Sequence, residues 1–178
     1  VKYLVLIPAL LFIAGCAASH RQGAGRDTIV AAASPDQEKA LLGQVKALEG
    51  KWEMVGEDGK PQLATTYQVS SGGNVVREVM FPGAAHEMTN VYHMDGSDLV
   101  MTHYCAVGNQ PRMRAARKSG NTIHFTFDSV TNHTSPSQRC MREMSLEVVD
   151  NDHIVQRWKS YQDGKPVEGA DFALTRVK

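Results

Sequence analysis

The sequence lacks an excess of either charge. Lysine and arginine number 19, aspartate and glutamate also 19, and the formal net charge is zero. A nucleic-acid partner draws on a clear basic surplus, so that class of function is excluded. Aromatic residues make up 7%, and 15 glycines stand against 7 prolines, a balance that is neither collagen-like nor low-complexity. No uncharged run is long enough for a membrane-spanning helix: Tyr3 to Ala18 falls short of the roughly 20 residues required. No C-x-x-C, H-E-x-x-H or G-x-S-x-G occurs to announce redox, metalloprotease or hydrolase chemistry. What is present is 42% hydrophobic residues in 178, enough for one cored domain plus a targeting segment.

The targeting segment is at the N-terminus. Lys2 precedes an unbroken apolar stretch that ends in small residues, the three regions of a secretory signal. Ile13-Ala14-Gly15-Cys16 closes it and resembles the bacterial lipobox. That resemblance implies cleavage before Cys16 and acylation of its sulfur and amine with palmitate-type chains, enough tails for stable anchoring. It further implies a cell-envelope lipoprotein, held at the outer membrane if the host is Gram-negative, because Ala17 replaces the aspartate that retains such proteins at the inner membrane. The expected organisation is a signal peptide over 1–15, a tether over 16–33 and a folded domain over 34–178.

The domain begins with a helix signal. Ser34 is an N-cap, Pro35 takes the first helical position and Gln37 the capping-box position. Leu41, Leu42, Val45 and Leu48 follow at helical spacing and Gly50 stops the run, which predicts one helix of about four turns. From Lys51 onward alternating runs are punctuated by turn residues such as Asp58-Gly59, Asp95-Gly96, Ser119-Gly120 and Asp163-Gly164. Ten strands result, near 51–57, 63–70, 73–81, 85–94, 98–107, 111–118, 121–130, 139–149, 152–162 and 167–177. Short sequential turns make an antiparallel meander, and ten strands with one helix remove their edges by closing. The expected fold is all-β, an up-and-down barrel.

Gly50-Lys51-Trp52, on the first strand after a short helix, resembles the G-x-W signature of the lipocalin and calycin barrels. The resemblance implies that Trp52 closes the barrel floor and that a basic residue of the last strand, here Arg176, lies against it. Ten strands look more like fatty-acid-binding proteins or nitrobindin than like eight-stranded lipocalins. The remainder resembles uncharacterised secreted calycin-like proteins of bacteria.

Strand parity nominates the site. If the hairpin at Asp95-Gly96 has a two- or four-residue loop, His86, Met88, Asn90 and Tyr92 share a face with Leu99, Met101, His103 and Cys105. The apolar character of Leu99 and Met101 turns that face inward. Three readings stay open: an activated thiolate at Cys105 beside His103, a soft-metal or haem site using His86, His103 and Cys105, or the lining of a ligand cavity. Lining is favoured over catalysis and over metal. Arg112 and Arg114, with a two-residue turn at Ser119-Gly120, would face inward with Phe125 and Phe127 and receive an anionic head group; a three-residue turn would put Met113 and Ala115 inside instead. The expected function is binding of a small apolar or amphiphilic ligand, the alternatives being enzyme, haem or metal chemistry and a filled structural barrel. Cys105 and Cys140 are expected as separate thiols, because three strand steps of about 4.8 Å exceed the 7 Å reach of a disulfide.

Overall fold

The computed structural model describes residues 28–178; the expected signal peptide, Cys16 and most of the expected tether lie outside the described residues. Two short helices come first, α1 (Pro35–Ala40) and α2 (Leu42–Lys46). The Ser34 side chain accepts the Gln37 N–H at 3.2 Å, the predicted cap. The single four-turn helix expected from the spacing is broken at Leu41, where φ is −109° and ψ −81°. Gly43, a poor helix former, follows the break, and the swing brings both Leu41 and Leu42 into the core.

Eleven strands follow: β1 (Gly50–Val55), β2 (Pro61–Ser70), β3 (Val75–Met80), β4 (Met88–Asp95), β5 (Asp98–Tyr104), β6 (Gln110–Ala115), β7 (Lys118–Ser119), β8 (Thr122–Thr131), β9 (Cys140–Val148), β10 (His153–Gln162) and β11 (Lys165–Arg176). Each pairs antiparallel with its sequence neighbour, except that the two-residue β7 pairs only with β8 and β6 pairs directly with β8. With β1 also paired to β11, ten strands close into an up-and-down barrel, as the turn pattern predicts. Closure leaves no long edge for a second chain to extend.

One end of the barrel is sealed. Trp52 is fully buried there, its indole N–H donating to the Leu48 carbonyl of the helical segment at 2.8 Å. Arg176, opposite Trp52 in register, lays its guanidinium 4.3 Å from the indole ring centre. Its nitrogens donate to the carbonyls of Ala47, Glu49 and Asn151, so one side chain ties the helical segment, the last strand and a turn together. Leu41, Leu42, Val45 and Leu48 pack with Trp52 in the same core. The β4–β5 hairpin also lies at this end. Its two-residue turn places Asp95 opposite Asp98, and Gly96 adopts φ +61° with Val30 and Ala31 packed against it.

Toward the other end the ladder is irregular. β8 pairs with β9 only from Thr122 to Thr126, after which β8 stays with β6 and β9 with β10. The loop from 132 to 139 occupies the resulting gap and is tied to the β5–β6 loop by three hydrogen bonds, among them Asn109 Nδ2 to the Arg139 carbonyl. β10 carries a register shift against both neighbours near Ser160. Gly169 lies in the shifted part of β11, where a Cβ would collide with the Trp158 carbonyl oxygen.

Candidate functional site

At the irregular end the barrel holds a cavity of about 290 Å³. Met80 at the end of β3, Met88 at the start of β4, Trp158 on β10 and Phe172 on β11 form its apolar wall. Met141, inward because of the β9–β10 shift, and Ala170 complete that side. Cys105 lies at the rim, with Arg139 on the facing loop. Below the cavity the barrel is filled by Tyr92, Met101, Met113, Phe125 and Met144, all essentially unexposed.

Between the cavity and the filled core runs a polar chain of fixed direction. Glu78 is fully buried and its two carboxylate oxygens accept from four side chains. Gln156 Nε2 at 2.6 Å donates to one oxygen, and the single Thr65 hydroxyl proton lies between that oxygen at 3.0 Å and the Val79 carbonyl at 2.9 Å; Asn90 Nδ2 and the Tyr92 hydroxyl, both at 2.7 Å, donate to the other. The Trp158 indole can only donate, and it donates to Gln156 Oε1 at 3.0 Å, which orients that amide toward Glu78. Asn90, with its NH2 committed to Glu78, presents Oδ1 to His103 Nδ1 at 2.7 Å. An amide oxygen accepts, so Nδ1 carries the imidazole proton and Nε2 carries the lone pair.

That lone pair has no partner among the described residues. His103 is 1% exposed, its Nε2 is buried without a hydrogen bond, and its ring packs against Trp158 at 5.0 Å between centroids. Burial pushes the His103 pKa down to about 4, so the ring is neutral near pH 7. Burial, reinforced by the adjacent Glu78 charge, raises Tyr67 and Tyr92 well above the ordinary phenol value, and both remain neutral donors. A neutral imidazole held by its second nitrogen is a directed acceptor and a potential ligand atom. It is not an acid.

The structure brings together only part of the nominated set. Met88, His103 and Cys105 line the cavity. Tyr92, Met101 and Phe125 are inward but belong to the packed core beneath it. His86 is displaced: β4 begins at Met88, two residues later than a strand containing His86 requires, and His86 sits exposed in the preceding loop against Phe81. The three-residue His86–His103–Cys105 site is therefore not assembled, and among the described residues no group of three His, Cys, Asp or Glu side chains converges.

Arg112 and Arg114 also depart from the inward expectation. Ala116 and Arg117 drop out of the strand between β6 and β7, and this interruption reverses the parity of β6. Met113 and Ala115 point inward instead, while the arginines form an outer network with Asp95, Asp98 and Asp128, including Arg114 to Asp95 at 2.5 Å. The Arg114 hydrogen bond holds the Asp95 carboxyl below its usual value. Phe127 shares the parity of Phe125, but β9 has left β8 by then, and the ring is 37% exposed beneath the Arg142 guanidinium. Cys105 and Cys140 are both free thiols, as expected.

Glu78 and Gln156 escaped the sequence reading, although parity carried a signal for the first. In Val75–Met80, Glu78 shares its face with Val76 and Met80, an acidic residue at a core position. Gln156 meets it across the barrel from 78 positions away, a juxtaposition that no local pattern encodes.

No family model matches the chain, and no curated protein matches it. Among solved structures it is similar to the crystal structure of Rv2717c from M. tuberculosis, at 13% identity and a TM-score of 0.52. The match covers 82% of this chain and 99% of that one, and the likeness is one of fold.

Proposed function

We propose that this protein is a lipid-anchored envelope barrel that binds a small, mainly apolar molecule in the cavity at its irregular end. The observation that carries the reading is an apolar cavity of about 290 Å³ with a buried, unpartnered imidazole nitrogen in its wall. A barrel serving purely as a structural plug gains nothing from such a hollow, since an apolar wall left open to water forgoes burial. The size falls near the lower limit of small-molecule pockets, which suits a ligand on the order of a dozen non-hydrogen atoms.

The anchor rests on Ile13-Ala14-Gly15-Cys16 following the apolar run. It agrees with the layout of the domain. Val30 and Ala31 pack at the sealed end, so a tether from Cys16 reaches the barrel on the side opposite the cavity. The stretch between Cys16 and Thr28 spans at most about 40 Å when extended, and the cavity would then face away from the membrane.

Titration of the mature domain with an apolar fluorescent dye tests the binding reading. Saturable binding at one site is expected, and Ala170→Phe, which places a ring in the cavity, should abolish it with little change in stability. Dye binding that survives Ala170→Phe unchanged would refute the assignment of this cavity.

A further inference from the structure

The cavity specifies the polarity of its ligand as well as its size. The ordered chain from Glu78 through Asn90 to His103 leaves a lone pair at Nε2 without a partner among the described residues, on a ring that lines the cavity; Nε2 itself has almost no free surface, so a donor reaches it only with a small shift of the ring or of a neighbouring wall side chain. A buried acceptor left unpaired costs about as much as a lost hydrogen bond, so an incoming donor gains that amount and an apolar group in its place does not. The rim has the opposite demand. Arg139 donates from Nε to Ser160 Oγ at 2.9 Å and from Nη2 to the Glu168 carbonyl. It has no ion-pair partner among the described residues. Met80, Met88, Trp158 and Phe172 separate the two polar points with apolar surface. The volume far exceeds what a bare ion occupies, which directs the inference to an organic molecule.

Resting on the binding function above, we propose that the ligand is a small aryl acid. Its body is flat and apolar, its inner end carries a hydroxyl or N–H that donates to His103 Nε2, and its outer end carries a carboxylate that meets Arg139. Donor, apolar body and anion in that order match the cavity from its base to its rim.

Calorimetric titration with 3-(4-hydroxyphenyl)propionate and 3-phenylpropionate, probes differing by one hydroxyl, tests this. The hydroxylated probe should bind about ten- to a hundred-fold more tightly. His103→Phe should erase the preference, so that the two probes bind with equal affinity. Arg139→Met should weaken both probes alike and keep the preference. The ¹⁵N resonance of His103 Nε2 in the unmodified protein reads the same event without a variant: it should move upfield with the hydroxylated probe and stay in place with the other. Equal affinities, a preference that survives His103→Phe, or an unmoved Nε2 resonance would overturn the inference. Failure of both acids to bind while the apolar dye binds would overturn it and leave the binding function standing; failure of all three would overturn both.

Discussion

Glu78→Gln is the substitution that best probes how the barrel interior is organised. It keeps the shape of the side chain and replaces one acceptor oxygen by an NH2 group, in a position that receives only donors. The new NH2 can face Gln156 or Asn90. Gln156 cannot turn to meet it, because the Trp158 indole N–H pins its oxygen. Asn90 can turn, losing its 3.3 Å contact to Met80 Sδ, and its own NH2 then points at His103 Nδ1. His103 responds by moving its proton to Nε2. The network thus survives with its direction reversed, and the loss is the difference between bonds to a charged and to a neutral acceptor. That difference is about 1 kcal/mol for each of roughly three retained bonds, offset in part by relief of the buried charge. The expected net cost is about 2 kcal/mol, read as a shift in urea midpoint. ¹⁵N spectra should show the protonated nitrogen changing from Nδ1 to Nε2, which converts the acceptor in the cavity wall into a donor. A cost below about 0.5 kcal/mol together with an unchanged tautomer would refute the reasoning, since Glu78 would then not set the direction of the chain.

Four further outcomes are expected. His103, at about 4 in the folded chain against 6.5 ordinarily, protonates in the unfolded chain first; stability is therefore full above pH 6.5 and falls by roughly 3 kcal/mol as pH drops to 4. Urea midpoints measured across that range should lose this slope in His103→Phe. Trp52→Ala, which empties the sealed end and strands the Arg176 guanidinium, should cost roughly 3–5 kcal/mol by the same measurement. Gly169→Ala, which forces a methyl group against the Trp158 carbonyl, should cost about 1–3 kcal/mol and weaken dye binding, because Trp158 walls the cavity. Cys16→Ser should release the full-length protein from the membrane fraction or leave it unprocessed; unchanged fractionation and mass would count against the anchor.

The fold was legible because its signals are local. Asp95-Gly96 marks a two-residue hairpin, and from that turn alone the pairing of Tyr92 with Met101 and of Asn90 with His103 follows. Trp52 and Arg176 were legible through a short motif and its strand context. What failed was parity across interruptions. Two residues dropped at Ala116–Arg117 reversed the faces of Arg112 and Arg114, and the sequence there holds no glycine or proline to mark the break. His86 failed for a related reason: Pro82-Gly83 begins a loop, and nothing in Ala84-Ala85-His86-Glu87 says where the loop ends and β4 starts. The cavity was hardest to foresee, since Met80, Arg139, Trp158 and Phe172 come from four separate segments and meet only when the barrel closes.

The irregularities and the cavity share one cause. A regular ten-stranded wall that packed inward at every level would repeat at the open end the filling achieved by Tyr92, Met101, Met113 and Phe125 lower down. The register shift in β10 near Ser160 interrupts that repetition on both of its sides. On β9 it turns Met141 inward opposite Ser160, whose hydroxyl accepts from Arg139 Nε; Ala170, inward by the ordinary alternation of β11, is too small to fill the space. The early parting of β8 and β9 lets the 132–139 loop form the rim that carries Arg139. A regular barrel, by contrast, is maintained at the sealed end, where Arg176 and Trp52 join the helices to the last strand. Stability is concentrated at the sealed end and the cavity lies at the other, with the Glu78–Asn90–His103 chain between them. Substitutions at Trp52 should therefore act on unfolding far more than on ligand affinity, and substitutions at Arg139 the reverse.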